Sequence, residues 1–360
     1  MHNGIYRLIV SLCISFAFLF VSCTHTSPIK DFDGKPLALE VDMRRKLELN
    51  GCKQWIYAAG VDEDNPVILW LDGGPGGSEL SWVRTYLGPL HKSFTIVCWD
   101  QRGTAGSFHA NTASLTVEQY VLDVIALSEM LAREFGQEKI YLVGHSWGSV
   151  IGLLAAQRRP DLFYAYIAAA QHVNSIENDG IGWQMILDGA RREGDLKTVG
   201  RMEKLGPPPY TKQLKDGSVV PDGDSYYQVL KRLYHYSPAA PSDGSFSSTK
   251  MFLASEHSLG SRINLARGLL RGVKLVYPQL AFLDMEAEVK SLDCPLFLIN
   301  ARYDMSCVAS ISERWFLKVE APLKQMVWLE NSGHNGVFTE AEAFIAFLNR
   351  EVRPLSNKIE

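Results

Sequence analysis

The chain reads as an α/β protein with a mainly parallel central sheet flanked by helices and an inserted, mostly helical cap. Three observations predict this. Short runs that are apolar throughout recur along the chain, and such runs belong to central strands buried on both faces. They alternate with segments of helical period, which implies parallel strands joined by right-handed crossovers. The alternation stops near Asn174 and resumes at Pro295, and the polar, helix-like block between them reads as an insertion.

The elements follow in order. Residues 1–22 read as a signal peptide, because Ile9 to Val21 is an apolar stretch with Arg7 before it. It is shorter than the roughly 20 residues needed to cross a bilayer core and fits a signal h-region. Cys23 follows small Ser22, and this junction resembles the lipid-attachment site of bacterial lipoproteins, with Phe20 where that pattern has leucine. The resemblance implies lipidation at Cys23 and a protein exported and anchored on the extracytoplasmic face of a membrane. A secreted soluble form is the alternative. Residues 23–36 form a linker.

The core begins with residues 37–174. Ala38–Val41 and Lys53–Ala59 read as strands. Pro66–Leu71 and Phe94–Trp99 are apolar throughout and predict central strands. Thr116–Phe135 carries Val121, Ile125, Leu127, Met130 and Leu131 at helical spacing. A strand over 138–143, a helix over 149–157 and a strand over 165–170 follow. Residues 175–285 form the cap, broken by Gly206-Pro207-Pro208-Pro209 and by a Ser/Pro/Ala/Gly-rich loop over 237–248. The core resumes over 286–352, with strands at Pro295–Asn300 and Gln325–Leu329 and helices near 310–319 and from Phe338. Residues 353–360 are a tail. An insertion at this point would lie over the C-terminal edge of the sheet, where ligands bind in such folds.

Between the strand at 138–143 and the helix after it stands Gly144-His145-Ser146-Trp147-Gly148. A G-x-S-x-G in this context is a nucleophile elbow, a turn so sharp that its serine projects from the sheet edge. A serine hydroxyl needs a base, and the base needs an orienting acid. In chain order the acid should follow a late strand and the histidine the last one. Asp304 and His334 occupy those loops. Asp293 lies at the wrong end of its strand. The oxyanion of an acyl-transfer intermediate needs backbone donors. Trp147 supplies one, and the glycine-rich loop Asp72-Gly73-Gly74-Pro75-Gly76-Gly77-Ser78 supplies the second through Gly74 or Gly73, since Pro75 has no N–H.

Three stretches, Asp72-Gly73-Gly74-Pro75-Gly76-Gly77, Trp99-Asp100-Gln101-Arg102-Gly103 and Gly144-His145-Ser146-Trp147-Gly148-Ser149, resemble the α/β-hydrolase superfamily and, within it, the proline iminopeptidase group of serine peptidases. Arg302-Tyr303-Asp304 and Ser332-Gly333-His334 fit as well. The likeness covers roughly residues 40–174 and 286–350. It implies an aminopeptidase on short peptides with an N-terminal proline or other small apolar residue. Asp72 stands where the group has histidine, and Gly103-Thr104-Ala105-Gly106 where it has Gly-Ser-Gly. The group's cap supplies a carboxylate for the substrate ammonium near a Trp-Glu pair, which this cap lacks. Glu177 and Glu256 are the candidates here, with Asp179 beside them.

An esterase or amidase on small acyl substrates is the second reading, and a catalytically dead surface binding protein the third. Hydrolases of this fold with an aspartate nucleophile, such as epoxide hydrolases, are disfavoured by the serine at 146. The net charge of −4, without a basic run, speaks against nucleic acid. No cofactor is called for, and no cysteine or histidine spacing suggests a metal. Cys98 and Cys294 read as buried thiols, while Cys52 and Cys307 are left open to a disulfide. Oligomeric state is not legible.

Overall fold

The computed structural model describes residues 27–357; the expected signal segment and Cys23 lie outside them. β1 (Val41–Leu49) and β2 (Cys52–Gly60) form a hairpin, followed by β3 (Val67–Leu71), helix α1 (Leu80–Tyr86), β4 (Thr95–Asp100), α2 (Val117–Glu134), β5 (Ile140–His145), α3 (Trp147–Arg158) and β6 (Phe163–Ala169). The cap holds α4 (Ser175–Glu193), α5 (Leu196–Leu205), a two-stranded ribbon of β7 (Thr211–Gln213) and β8 (Val219–Pro221), α6 (Gly223–Tyr236) and α7 (Leu259–Leu275). The chain returns through β9 (Leu296–Ala301), α8 (Ala309–Lys318), β10 (Lys324–Leu329) and α9 (Ala341–Phe347).

The main sheet has eight strands in the order β1-β2-β4-β3-β5-β6-β9-β10. β2 pairs antiparallel with β1 and β4, and every other neighbouring pair is parallel. The apolar runs are explained by the alternation of side chains across the sheet. Leu69 and Leu71 point into a core shared with α2, α3 and α8, whereas Ile68 and Trp70 point into one shared with α1 and α9. Both faces are covered, so both sets must be apolar.

One expectation needs correction. The first strand lies at 41–49, not 38–41. Its Val-Asp-Met-Arg-Arg-Lys-Leu-Glu-Leu alternates half-buried and exposed residues as an edge strand does, and three successive cations hid that period. The cap is mostly helical, with the short β7–β8 ribbon between α5 and α6. It has its own core, built around Ile186, Leu187, Ala190, Met202, Tyr226 and Leu233.

Two of the contacts that fasten the cap to the sheet edge lie at and near the loop after β3. Helix α7 lies backbone-to-backbone on the glycine-rich loop after β3. A Cβ on Gly272 would sit 2.0 Å from the Pro75 carbonyl oxygen, and one on Gly76 would sit 2.2 Å from that of Gly268. Only glycine permits this approach. Nearby, His257 Nε2 lies 3.1 Å from both Asp100 carboxylate oxygens, in a fully buried pair that Tyr57 and the Gly106 N–H also contact.

Candidate active site

The elbow forms where β5 meets α3. Ser146 has φ 55° and ψ −117°, a conformation that costs a non-glycine residue about 1–3 kcal/mol. It is held by the Ser146 N–H donating to Ala169 O at 3.0 Å and by Ser149 donating back to Ser146 O. The flanking glycines are sterically required. A Cβ on Gly148 would lie 2.1 Å from Leu71 O, and one on Gly144 would lie 2.6 Å from Gly148 O.

The loops after β9 and β10 bring Asp304 and His334 to the same point. His334 Nε2 is 2.9 Å from Ser146 Oγ. Its Nδ1–H reaches both Asp304 oxygens, at 3.0 and 2.9 Å. The Asp304 carboxylate also accepts the N–H groups of Ser306 and Cys307, at 2.8 and 2.9 Å. These bonds hold the carboxylate in a fixed orientation. The cap supports this loop through Asn178 on α4, which donates to Ser306 O and accepts from Val308 N–H.

Of the two oxyanion candidates in the glycine-rich loop, the structure separates one from the other. The Gly73 N–H is spent on Glu79 Oε1 at 3.0 Å, which corrects its expected role. Among the described residues the N–H groups of Gly74 and Trp147 have no acceptor. Both residues line a cavity of about 80 Å³ beside Ser146, together with Tyr234, Cys307 and His334.

Glu79, unnoticed in the sequence, is the hub beneath the site. Its carboxylate accepts from Trp70 Nε1 at 2.8 Å, from Gly73 N–H, and from His145 Nδ1–H at 2.7 Å. His145 Nε2–H in turn donates to the His334 carbonyl at 3.0 Å. Both ring nitrogens therefore face acceptors. Burial opposes a charge on His145, but the Glu79 carboxylate overrides it and holds the imidazole above its ordinary pKa. One buried ion pair thus joins the glycine-rich loop to the loop of His334. Asp72 lies close by, fully buried, with neither oxygen partnered. Burial and the nearby Glu79 and Asp100 carboxylates push its pKa well up.

A larger cavity of about 770 Å³ opens between cap and core and meets the site at His334, Tyr234 and Ser306. Trp82, Phe246, Met251 and Phe252 give it apolar walls, and Asp243 is the one acid among its lining residues. Neither expected cap carboxylate reaches either cavity. Glu177 is clamped by Arg314 at 2.9 and 2.5 Å. Glu256 is buried against Arg84 at 2.6 Å, an ion pair rather than an aligned hydrogen bond. Asp179 is buried behind Tyr277, whose hydroxyl it accepts at 3.0 Å, and burial pushes its pKa up to about 6. Nothing in the sequence marked Asp243, which sits in a polar loop among many polar residues.

The four described cysteines are free thiols, so no disulfide joins Cys52 and Cys307. Cys307 lies beside Ser146, but burial pushes its thiol well above the ordinary value. A protonated thiol is a poor nucleophile.

Comparison with known proteins bears on the fold. The sequence model of the alpha/beta hydrolase fold family matches residues 66–204. The chain has the α/β-hydrolase fold. Its sequence resembles proteins of the proline iminopeptidase group. A probable aminopeptidase of Bacillus subtilis, YbaC, is 28% identical over 331 residues, which cover 88% of this chain and 98% of that protein. A probable proline iminopeptidase of Leptolyngbya boryana is 30% identical over 106 residues, covering 29% of this chain and 31% of its own length. The proline iminopeptidase of Mycobacterium smegmatis superposes with a TM-score of 0.55 at 14% identity, covering 88% of this chain and all of that one. At that identity the likeness is one of fold.

Proposed function

We propose that the chain is a serine hydrolase working through an acyl-enzyme, and that it is an aminopeptidase of the proline iminopeptidase type on short peptides. The observation that carries the chemistry is the unbroken line from Ser146 through His334 to Asp304, with contacts of 2.9 Å on either side of the imidazole. The Ser146 hydroxyl gives its proton to His334 Nε2 as Oγ attacks the carbonyl carbon. Asp304 holds the proton on Nδ1 and stabilises the imidazolium. The oxyanion takes the N–H groups of Trp147 and Gly74, each worth about 3 kcal/mol at the transition state. The tetrahedral adduct collapses, and His334 returns the proton to the departing amine. Water then repeats the sequence on the acyl-enzyme.

The peptidase reading is supported by the nearly full-length resemblance to a probable aminopeptidase. In this reading Asp243 faces the substrate ammonium from the larger cavity, the role that Glu177 and Glu256 cannot take. An esterase or amidase is the second reading, favoured by the apolar walls of that cavity. A panel of aminoacyl arylamides and acyl p-nitrophenyl esters tests the two. Turnover of prolyl arylamide is expected, and turnover of esters alone would overturn the peptidase reading. Export and anchoring through Cys23 belong to the same proposal. Labelled palmitate should enter the chain and fail to enter Cys23→Ala.

A further inference from the structure

We infer that the outer face of α7 rests on the surface of an anionic phospholipid membrane. This surface deepens the anchoring proposal and rests on it in part. Helix α7 is apolar on two opposite sides. Inward, Leu265 is buried and Gly268 and Gly272 meet the loop after β3. Outward, Leu259, Ile263, Ala266 and Leu270 recur at the spacing of a single helix face. Leu259, Ile263 and Leu270 are 48%, 55% and 43% exposed, and Leu253, 61% exposed, precedes the helix. A stripe at that period is ordinarily covered.

Charge points to what covers it. Residues 259–275 contain Arg262, Arg267, Arg271 and Lys274 and no acid, and of these Lys274 pairs with Asp224 on α6. An apolar stripe bordered by cations is the pattern of a helix lying in a membrane interface. Against a second copy of the chain, the same cations would meet their own counterparts across a two-fold axis and repel. No described helix is long and apolar enough to cross a bilayer, so contact at the surface is the form available to α7.

The start of the described chain lies at the same place. The Ser27 N–H donates to Ser255 Oγ at 2.9 Å, and Arg84 donates to Ser27 O at 2.9 Å. Ser27 and Leu253 line one groove. Cys23 stands four residues earlier, and four extended residues reach no farther than about 14 Å. A lipid on Cys23 would therefore hold the bilayer beside Leu253 and the N-terminal end of α7.

The test uses the full chain in vesicles of phosphatidylglycerol or phosphatidylcholine, with photoreactive benzoylphenylalanine in place of Ile263 or Leu270. Leu317, 69% exposed on α8, is the control position. Lipid adducts at 263 and 270 at least about fivefold above those at 317 are expected on the anionic vesicles. Each cation near an anionic surface adds roughly fivefold in affinity, so Arg267→Gln should cut those adducts severalfold on phosphatidylglycerol and leave them unchanged on phosphatidylcholine. Chain–chain adducts in place of lipid, or yields equal to the control, overturn the inference. Palmitate labelling is read in parallel. Acylation without adducts removes the docking face and keeps the anchor, and adducts without acylation do the reverse.

Discussion

The sheet edge and the cap solve different problems with carboxylates. Asp304, at the edge, accepts two backbone N–H groups and a histidine. Asp179, in the cap, accepts a tyrosine hydroxyl and a long asparagine contact, and leaves one oxygen unpartnered. Asp304 is surrounded by donors, whereas burial raises Asp179 to about 6. The lesson is that burial alone does not mark a working acid. The number and kind of its donors do.

That contrast can be broken most sharply at Ser146. Ser146→Ala should lower kcat by at least about 10⁴-fold on every substrate and abolish labelling by a fluorophosphonate probe. Residual labelling at the wild-type rate would move the nucleophile elsewhere. Next comes the pair beneath it. Glu79→Gln leaves the His145 charge without its partner, and breaking such buried pairs costs about 3–5 kcal/mol. A fall in melting temperature is expected, with kcat dropping more than KM changes. An unaltered pH profile together with unaltered kcat would reduce Glu79 to a packing residue.

The cap should respond by substrate instead. Asp243→Asn is expected to raise KM for aminoacyl arylamides about tenfold, the worth of one charge-assisted contact, and to leave ester turnover within about threefold. Equal effects on both substrate classes would remove Asp243 from amine recognition. The smallest effect concerns stability. Asp179 has a folded pKa raised above its unfolded value, so the folded state loses stability as pH climbs from about 4 toward 6. Asp179→Asn should therefore gain up to about 3 kcal/mol at pH 7 relative to pH 4. Denaturant titrations at the two pH values measure it, and identical shifts at both would contradict the assignment.

What could be read in the sequence follows the same division. Ser146, Asp304 and His334 stand at strand ends, and a strand end is a local pattern: an apolar run, then a turn. Gly74 and Trp147 were legible for that reason too. Glu79 and His145 were not, because their meeting joins residues 66 positions apart, and each looks ordinary alone. Glu177 and Glu256 failed for the opposite reason. Their residue type suited the task, but Arg314 and Arg84 had already claimed them. In a cap without a repeating strand pattern, residue type carries no address.

The glycines at 268 and 272 have a mechanical consequence. With the α7 backbone seated directly on Pro75 and Gly76, there is no cushion of side chains to absorb movement. That end of the cap meets the core at backbone distance, whereas the 237–249 side walls the larger cavity with loop and short helical turns. A force applied along α7 is passed to the turn that carries the Gly74 donor. Swapping this cap for another would thus require a helix that offers bare backbone at the same two points, or the oxyanion loop would lose its footing.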